Sequence, residues 1–217
     1  MAKKKERGSS PSAAPKTFGK DLDFASVEAY NLLRTNLIFS LPDSEGGRVI
    51  GITSPCPEDG KSTTSLNLAY VLAESGARVI LIDADMRRPS LAKMVDIPSV
   101  PGLSNYLVSE NTDAVHSGDI HKNLSVMLSG EIPPNPSELI GSRKMQQFIE
   151  ELREKYDYVI LDLPPVNSVS DPLVVSKYVD GFVVVVRHKR TRRRDISEAI
   201  RQLELVDAKI LGFVYNG

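Results

Sequence analysis

Apolar and polar positions change period along this chain. From Ser26 to Ser40 the apolar residues Val27, Tyr30, Leu33, Leu37 and Ile38 recur every three to four positions. This spacing predicts an amphipathic helix with Ser26 as its N-cap. Beyond it the pattern turns to short β-branched runs at Val49–Thr53, Val79–Ile82, Leu124–Leu128, Tyr158–Leu161, Phe182–Val186 and Ile210–Val214. Helical stretches at Lys61–Glu74, Arg143–Lys155, Pro172–Val179 and Asp195–Leu205 separate most of them. Strands that are apolar throughout are buried on both faces, and their alternation with helices predicts a parallel sheet. The expected fold is α/β, doubly wound and mostly parallel with helices on both faces, forming one domain over residues 21–217. Residues 1–20 show no periodicity and read as a flexible basic N-terminal arm.

Composition narrows the class. Apolar residues make up 41% and charged residues 25% of 217, as in an ordinary globular domain. No apolar run approaches the roughly 18–20 residues needed to cross a membrane, and the basic N-terminus lacks the apolar stretch of a signal peptide. The single cysteine, Cys56, cannot form an internal disulfide, which suits a reducing compartment. Membrane-spanning, secreted and disulfide-framework classes are therefore excluded. Charge is balanced overall at −1 but clustered: the arm carries six Lys/Arg against one acid, and Arg187–Arg194 holds six more cations. Such patches are either solvated or meet an anionic partner. No aromatic residues interleave with the Arg187–Arg194 cations, which disfavours nucleic acid.

In doubly wound sheets, ligands bind beyond the carboxyl ends of the strands, and the chemistry-bearing residues cluster there. After the first strand comes Ser54-Pro55-Cys56-Pro57-Glu58-Asp59-Gly60-Lys61-Ser62-Thr63 and then a helix. Gly60-Lys61-Ser62 matches the end of a phosphate-binding loop. There, backbone N–H groups and the helix N-terminus cradle phosphates, the lysine neutralises β/γ oxygens, and the hydroxyl faces Mg²⁺. Pro55 replaces the usual first glycine, so the first turn must differ. The second strand leads into Asp83-Ala84-Asp85, two carboxylates on one side of the chain. One suits a metal and the other a base for an incoming hydroxyl. The fourth strand ends in Asp162, the Walker B arrangement. Together the three signals imply Mg²⁺–nucleotide chemistry.

With these motifs the chain resembles the bacterial protein-tyrosine kinases (BY-kinases) of Gram-positive capsular and exopolysaccharide systems. Ser54–Thr63 is similar to their Walker A loop, Val79–Arg87 to Walker A′ and Val159–Pro165 to Walker B. Glu28-Ala29-Tyr30, Leu33-Arg34-Thr35-Asn36, Pro101-Gly102-Leu103-Ser104 and Pro133–Ile140 agree too. The resemblance implies an ATP- and Mg²⁺-dependent tyrosine kinase. The loop Pro57, Glu58, Asp59, Gly60, Lys61, Ser62 and Thr63 would hold phosphates, and Ser62, Asp83 and Asp162 would serve the Mg²⁺. Asp85 would accept the tyrosine proton, with Lys61 as its catalytic companion. Arg87 is a candidate for phosphate or substrate contact and Asn216 for adenine contact. The implied partners are a transmembrane adaptor whose cytoplasmic tail activates the kinase, protein tyrosine substrates, and further copies in a ring. The implied location is the cytoplasm at the inner face of the cell membrane.

Two features depart from that family. Its ring-forming Glu-x-x-Arg-x-x-Arg helix is matched by Glu28 and Arg34, with Asn31 in the middle place. The clustered tyrosines with which such kinases end do not occur within residues 1–217. Two alternatives share the motifs: a MinD/ParA-like regulatory ATPase and a nucleotide-gated assembly subunit without kinase activity. The first normally carries a signature lysine where this chain has Cys56.

Overall fold

The computed structural model describes residues 18–41, 46–109 and 113–217. Its elements are, in chain order, α1 (Phe24–Ser40), β1 (Arg48–Thr53), α2 (Lys61–Glu74), β2 (Val79–Asp83), α3 (Leu91–Val95), α4 (Leu103–Val108), β3 (Val115–His121), β4 (Leu124–Met127), α5 (Pro136–Ile140), α6 (Arg143–Lys155), β5 (Tyr158–Asp162), α7 (Asp171–Val175), β6 (Gly181–Arg187), α8 (Arg193–Glu204) and β7 (Ile210–Asn216). The strands form one sheet in the order β3-β4-β2-β5-β1-β6-β7, parallel except for the β3–β4 pair. Strand β3 went unpredicted because Val115–His121 is an edge strand with an exposed, polar middle and a register shift, so it shows no apolar run.

Side-chain alternation along the strands builds two cores. Val49, Phe182, Val184 and Val186 face a layer that includes Met145, Phe148, Ile149 and Leu152 of α6 and Ala199 and Leu203 of α8. Ile50, Ile52, Val183 and Val185 face α2, which is covered in turn by α1 through Leu37, Tyr30 and Leu33. Helix α2 lies between sheet and helix, so it is buried along nearly its whole length. Its polar residues find partners inside: the Asn67 amide donates to the Thr63 carbonyl, and its oxygen accepts the Gly19 N–H.

Several boundaries differ from expectation. Helix α1 starts at Phe24, capped by Asp23, whose side chain accepts the Ser26 N–H at 2.8 Å; Ser26 is already helical. Ile38 faces outward. The predicted helix at Pro172–Val179 is α7 followed by a 3-10 turn over Ser176–Tyr178. The basic arm lies outside the described residues up to position 17. Its last part is docked, with Phe18 packed against the α2 core and Gly19 bonded to Asn67.

Candidate active site

Strands β1, β5 and β2 are neighbours, and register carries their carboxyl ends to one place: Ile52 of β1 lies opposite Asp162 of β5, and Asp162 lies opposite Asp83 of β2. Three connections therefore leave the sheet side by side. The first is the loop Ser54–Gly60 entering α2. Gly60 is its left-handed N-cap, with φ 97°, and a Cβ there would fall 1.9 Å from the Asn216 amide nitrogen, so only glycine fits. Asp59 staples the loop from within. Its carboxylate accepts the Cys56 N–H at 3.0 Å and the Thr191 hydroxyl at 2.9 Å.

Lys61 opens α2 and its side chain runs back into the site. Its Nζ lies 2.9 Å from Asp85 Oδ2 and 3.8 Å from Asp162 Oδ1, with all three groups buried. Burial alone pulls the Lys61 ammonium down, but Asp162, Asp85 and Asp83 together outweigh it and hold it above its ordinary value. Asp83 is pushed up to about 8, first by burial and then by the Asp162 charge. Burial also raises Asp162. The Ser65 hydroxyl donates to Asp162 Oδ1 at 3.1 Å, while Asp162 Oδ2 is a buried acceptor without a protein donor. Asp85 accepts the Arg88 N–H at 3.0 Å, which fixes its carboxylate toward Lys61. The Ser62 hydroxyl accepts from Ser90 at 2.8 Å.

This donor set fits a divalent cation. Three carboxyl groups face one ammonium, so oxygen donors are in surplus, and an orphaned carboxyl oxygen of Asp162 waits beside the Ser62 hydroxyl. Among the described residues no three His, Cys, Asp or Glu side chains suffice to hold a metal by themselves. Mg²⁺ keeps waters and takes phosphate oxygens alongside one or two carboxylates. The cavity over this cluster measures about 790 Å³ and is lined by Pro57, Glu58, Gly60, Lys61, Ser62, Thr63, Asp85, Arg87 and Asn216, among others. It has room for a nucleotide and part of a second substrate.

Two of the named residues, both lining the cavity, also make contacts within the chain. The Arg87 guanidinium also reaches away from the phosphate loop to Asp171, at 2.9 and 3.1 Å, and to the Ser137 hydroxyl at 2.8 Å. Ser137 donates to the same buried carboxylate. Its fork is thus occupied in joining the β2 exit to α5 and α7. Asn216 turns its amide onto the Asp59 carbonyl at 3.0 Å. Sequence reasoning missed Asp171, Ser137, Ser65 and Thr191, whose polar side chains are unremarkable until the fold brings them together. Only Pro133–Ile140, singled out without a role, contained a hint of Ser137.

A sheet of this order, carrying a lysine-bearing phosphate loop and aspartates on the adjacent strand ends, defines a P-loop NTPase. Residues 47–217 match the ParA family model, described as the NUBPL iron-transfer P-loop NTPase, and the chain belongs to that class. Within it, the chain belongs to the bacterial tyrosine-protein kinases. It is 37% identical over 221 residues to tyrosine-protein kinase YwqD of Bacillus subtilis, covering 100% of this chain and 91% of that one. It is 36% identical over 195 residues to tyrosine-protein kinase CpsD of Streptococcus agalactiae, covering 87% and 82% of the two chains. The kinase domain of Escherichia coli tyrosine kinase ETK superposes with a TM-score of 0.87 at 32% identity, over 97% of this chain and 82% of that domain. The enzyme is a protein-tyrosine kinase, and neither the regulatory-ATPase nor the assembly-subunit reading is favoured.

Proposed function

We propose that this kinase transfers the γ-phosphoryl group of Mg²⁺-bound ATP to tyrosine hydroxyls of protein substrates, and that it regulates capsular or exopolysaccharide synthesis and export. The observation that carries the mechanism is the 2.9 Å contact between Lys61 Nζ and Asp85 Oδ2 at the mouth of the phosphate loop. Bound Mg²⁺–ATP supplies the transferable phosphoryl group and a metal that withdraws charge from its oxygens. The backbone from Pro57 to Thr63 holds the phosphates. Lys61 turns to their oxygens and so releases Asp85. Ser62, Asp83 and Asp162 would hold the metal. Asp85 then accepts the tyrosine proton as the phenolic oxygen bonds to phosphorus and the bond to the bridging oxygen breaks, with ADP leaving. Positioning and charge neutralisation supply most of the acceleration. Arg87 keeps this wall of the cavity in place through Asp171 and offers its remaining edge to the substrate side.

Activation by the cytoplasmic tail of a transmembrane adaptor is part of the same reading, which places the kinase at the inner face of the cell membrane. No helix among the described residues is long and apolar enough to cross a membrane, so a partner would supply that attachment. Self-association is supported by α1, whose outward face carries Glu28 and Asn31 beside the exposed side chains of Phe24, Leu32, Ile38 and Phe39. The test is a phosphotransfer assay with Mg²⁺–ATP and a tyrosine-rich peptide, with and without an adaptor-tail peptide. Phosphotyrosine should form with the wild type and vanish with Lys61→Met. ATP hydrolysis accompanied by ATP-dependent dimerisation, without phosphotyrosine, would contradict the reading.

A further inference from the structure

The basic run Arg187–Arg194 follows β6, on the side of the sheet that carries the phosphate loop, and three of its residues touch that loop. Arg187 Nη1 donates to the Glu58 carbonyl at 2.9 Å, and Arg190 Nη2 meets Glu58 Oε2 at 2.7 Å. The Thr191 hydroxyl donates to Asp59 Oδ1 at 2.9 Å while accepting the Arg187 N–H, also at 2.9 Å. From β7, Asn216 Nδ2 donates to the Asp59 carbonyl at 3.0 Å, and the Asn216 carbonyl accepts the His188 N–H at 2.8 Å. The two consecutive carbonyls of the loop are therefore held from outside by the ends of β6 and β7.

A trans peptide is planar with its N–H opposed to its C=O. Fixing the Glu58 carbonyl thereby fixes the direction of the Asp59 N–H, and fixing the Asp59 carbonyl fixes that of the Gly60 N–H. Both residues flanking Asp59 are left-handed, Glu58 with φ 63° and Gly60 with φ 97°. Alternation of hand turns successive N–H groups toward one concave side, the arrangement that binds anions. For a glutamate the left-handed conformation is unfavourable and persists only where its surroundings impose it. Arg187 on its carbonyl and Arg190 on its carboxylate impose it here.

We infer that Arg187 and Asn216 are positioning residues for nucleotide phosphate binding: they clamp the Glu58 and Asp59 carbonyls and so aim the Asp59 and Gly60 N–H groups at the phosphates. Thr191 joins the clamp to the Asp59 staple. In this role Asn216 acts on the phosphates through the loop, not on the base. The inference rests on Ser54–Thr63 being the phosphate loop.

The test is calorimetric binding of two probes, inorganic pyrophosphate and ADP, both with Mg²⁺. Arg187→Ala and Asn216→Ala should each weaken the two probes by the same factor, about tenfold, the scale of one charge-assisted hydrogen bond. Arg187→Lys, which keeps a donor for the Glu58 carbonyl, should retain most of the affinity. Arg192→Ala and Arg193→Ala, neighbouring cations outside the clamp, should bind as the wild type does. If Asn216→Ala loses ADP but keeps pyrophosphate, the residue reads adenine and the inference fails. It also fails if Arg192→Ala weakens binding as much as Arg187→Ala, since the charge of the run would then suffice, or if both clamp variants bind normally. Circular dichroism verifies the fold, and if Arg187→Ala does not fold, Asn216→Ala decides. A wild-type protein that binds neither probe would instead overturn the phosphate-loop reading itself.

Discussion

Asp83 shows how the strand ends bring chemistry and stability into conflict. Its carboxyl is buried beside Asp162, which raises it from the ordinary carboxylate range to about 8. An acid whose folded value lies above its unfolded value takes up a proton on folding. Its contribution to stability is therefore full below the unfolded value and is lost as pH rises toward the folded one. Without metal or nucleotide, the urea midpoint should fall between about pH 4 and pH 8, and Asp83→Asn should flatten that slope. Parallel slopes for the two proteins would show that the proton sits elsewhere. Mg²⁺–ATP binding near pH 7 should also release protons, read as a binding enthalpy that depends on buffer ionisation. These residues were legible in the sequence because each follows an apolar strand: Lys61, Asp83, Asp85 and Asp162 were all picked out, and the fold gathers them, Lys61 and Asp85 lining the cavity and Asp83 and Asp162 buried behind. The clamp was not: Asn216 was named for adenine contact and Arg187 only as part of a basic run, and neither gives a hint that a loop more than a hundred residues away will lie against it.

Among the elements, the least regular segments turn out to join the regular ones. Pro101–Ser104 has no apolar period, yet Gly102 packs so closely that a Cβ would fall 2.2 Å from the Gly130 nitrogen. This lets the Leu103 and Ser104 N–H groups bond to the carbonyls of Leu128 and Ser129 at the exit of β4. Pro133–Ile140 forms α5, and its Ser137 meets Arg87 and Asp171, so one polar knot joins the β2 exit, α5 and α7. Asp171 is fully buried, and removing its cation leaves its charge with the Ser137 hydroxyl but no ion-pair partner. Arg87→Ala should cost about 3 kcal/mol in urea unfolding, and Arg87→Ala with Asp171→Asn should recover part of it. A loss below about 0.5 kcal/mol, the scale of an exposed pair, would make the knot dispensable. The sheet itself was readable because five of its strands are buried on both faces and are mostly apolar along their length. Strand β3 and helices α3, α4 and α5 were not, because five- and six-residue helices and a half-polar edge leave too little periodicity to detect.

For the whole molecule, the outward face of α1 presents Phe24 and Phe39 at 81% and 85% exposure, an arrangement that costs solubility unless it is covered. The proposed self-association predicts that Phe39→Glu lowers the oligomer fraction in light scattering without shifting the thermal midpoint. An unchanged oligomer would remove α1 from the interface. The opposite end of each chain's functional architecture is the cavity, where one lysine serves two partners in turn. In the proposed mechanism Lys61 leaves Asp85 for the phosphates and so frees Asp85 to take the tyrosine proton. The most direct measurement compares ATP affinity and single-turnover phosphotransfer in the wild type and Asp85→Asn. ATP should bind at least as tightly to the variant, because Lys61 no longer has that carboxylate to leave, while the transfer rate should fall by about 10²–10⁴-fold. Full transfer with Asp85→Asn, or a loss of ATP binding matching the loss of transfer, would contradict it.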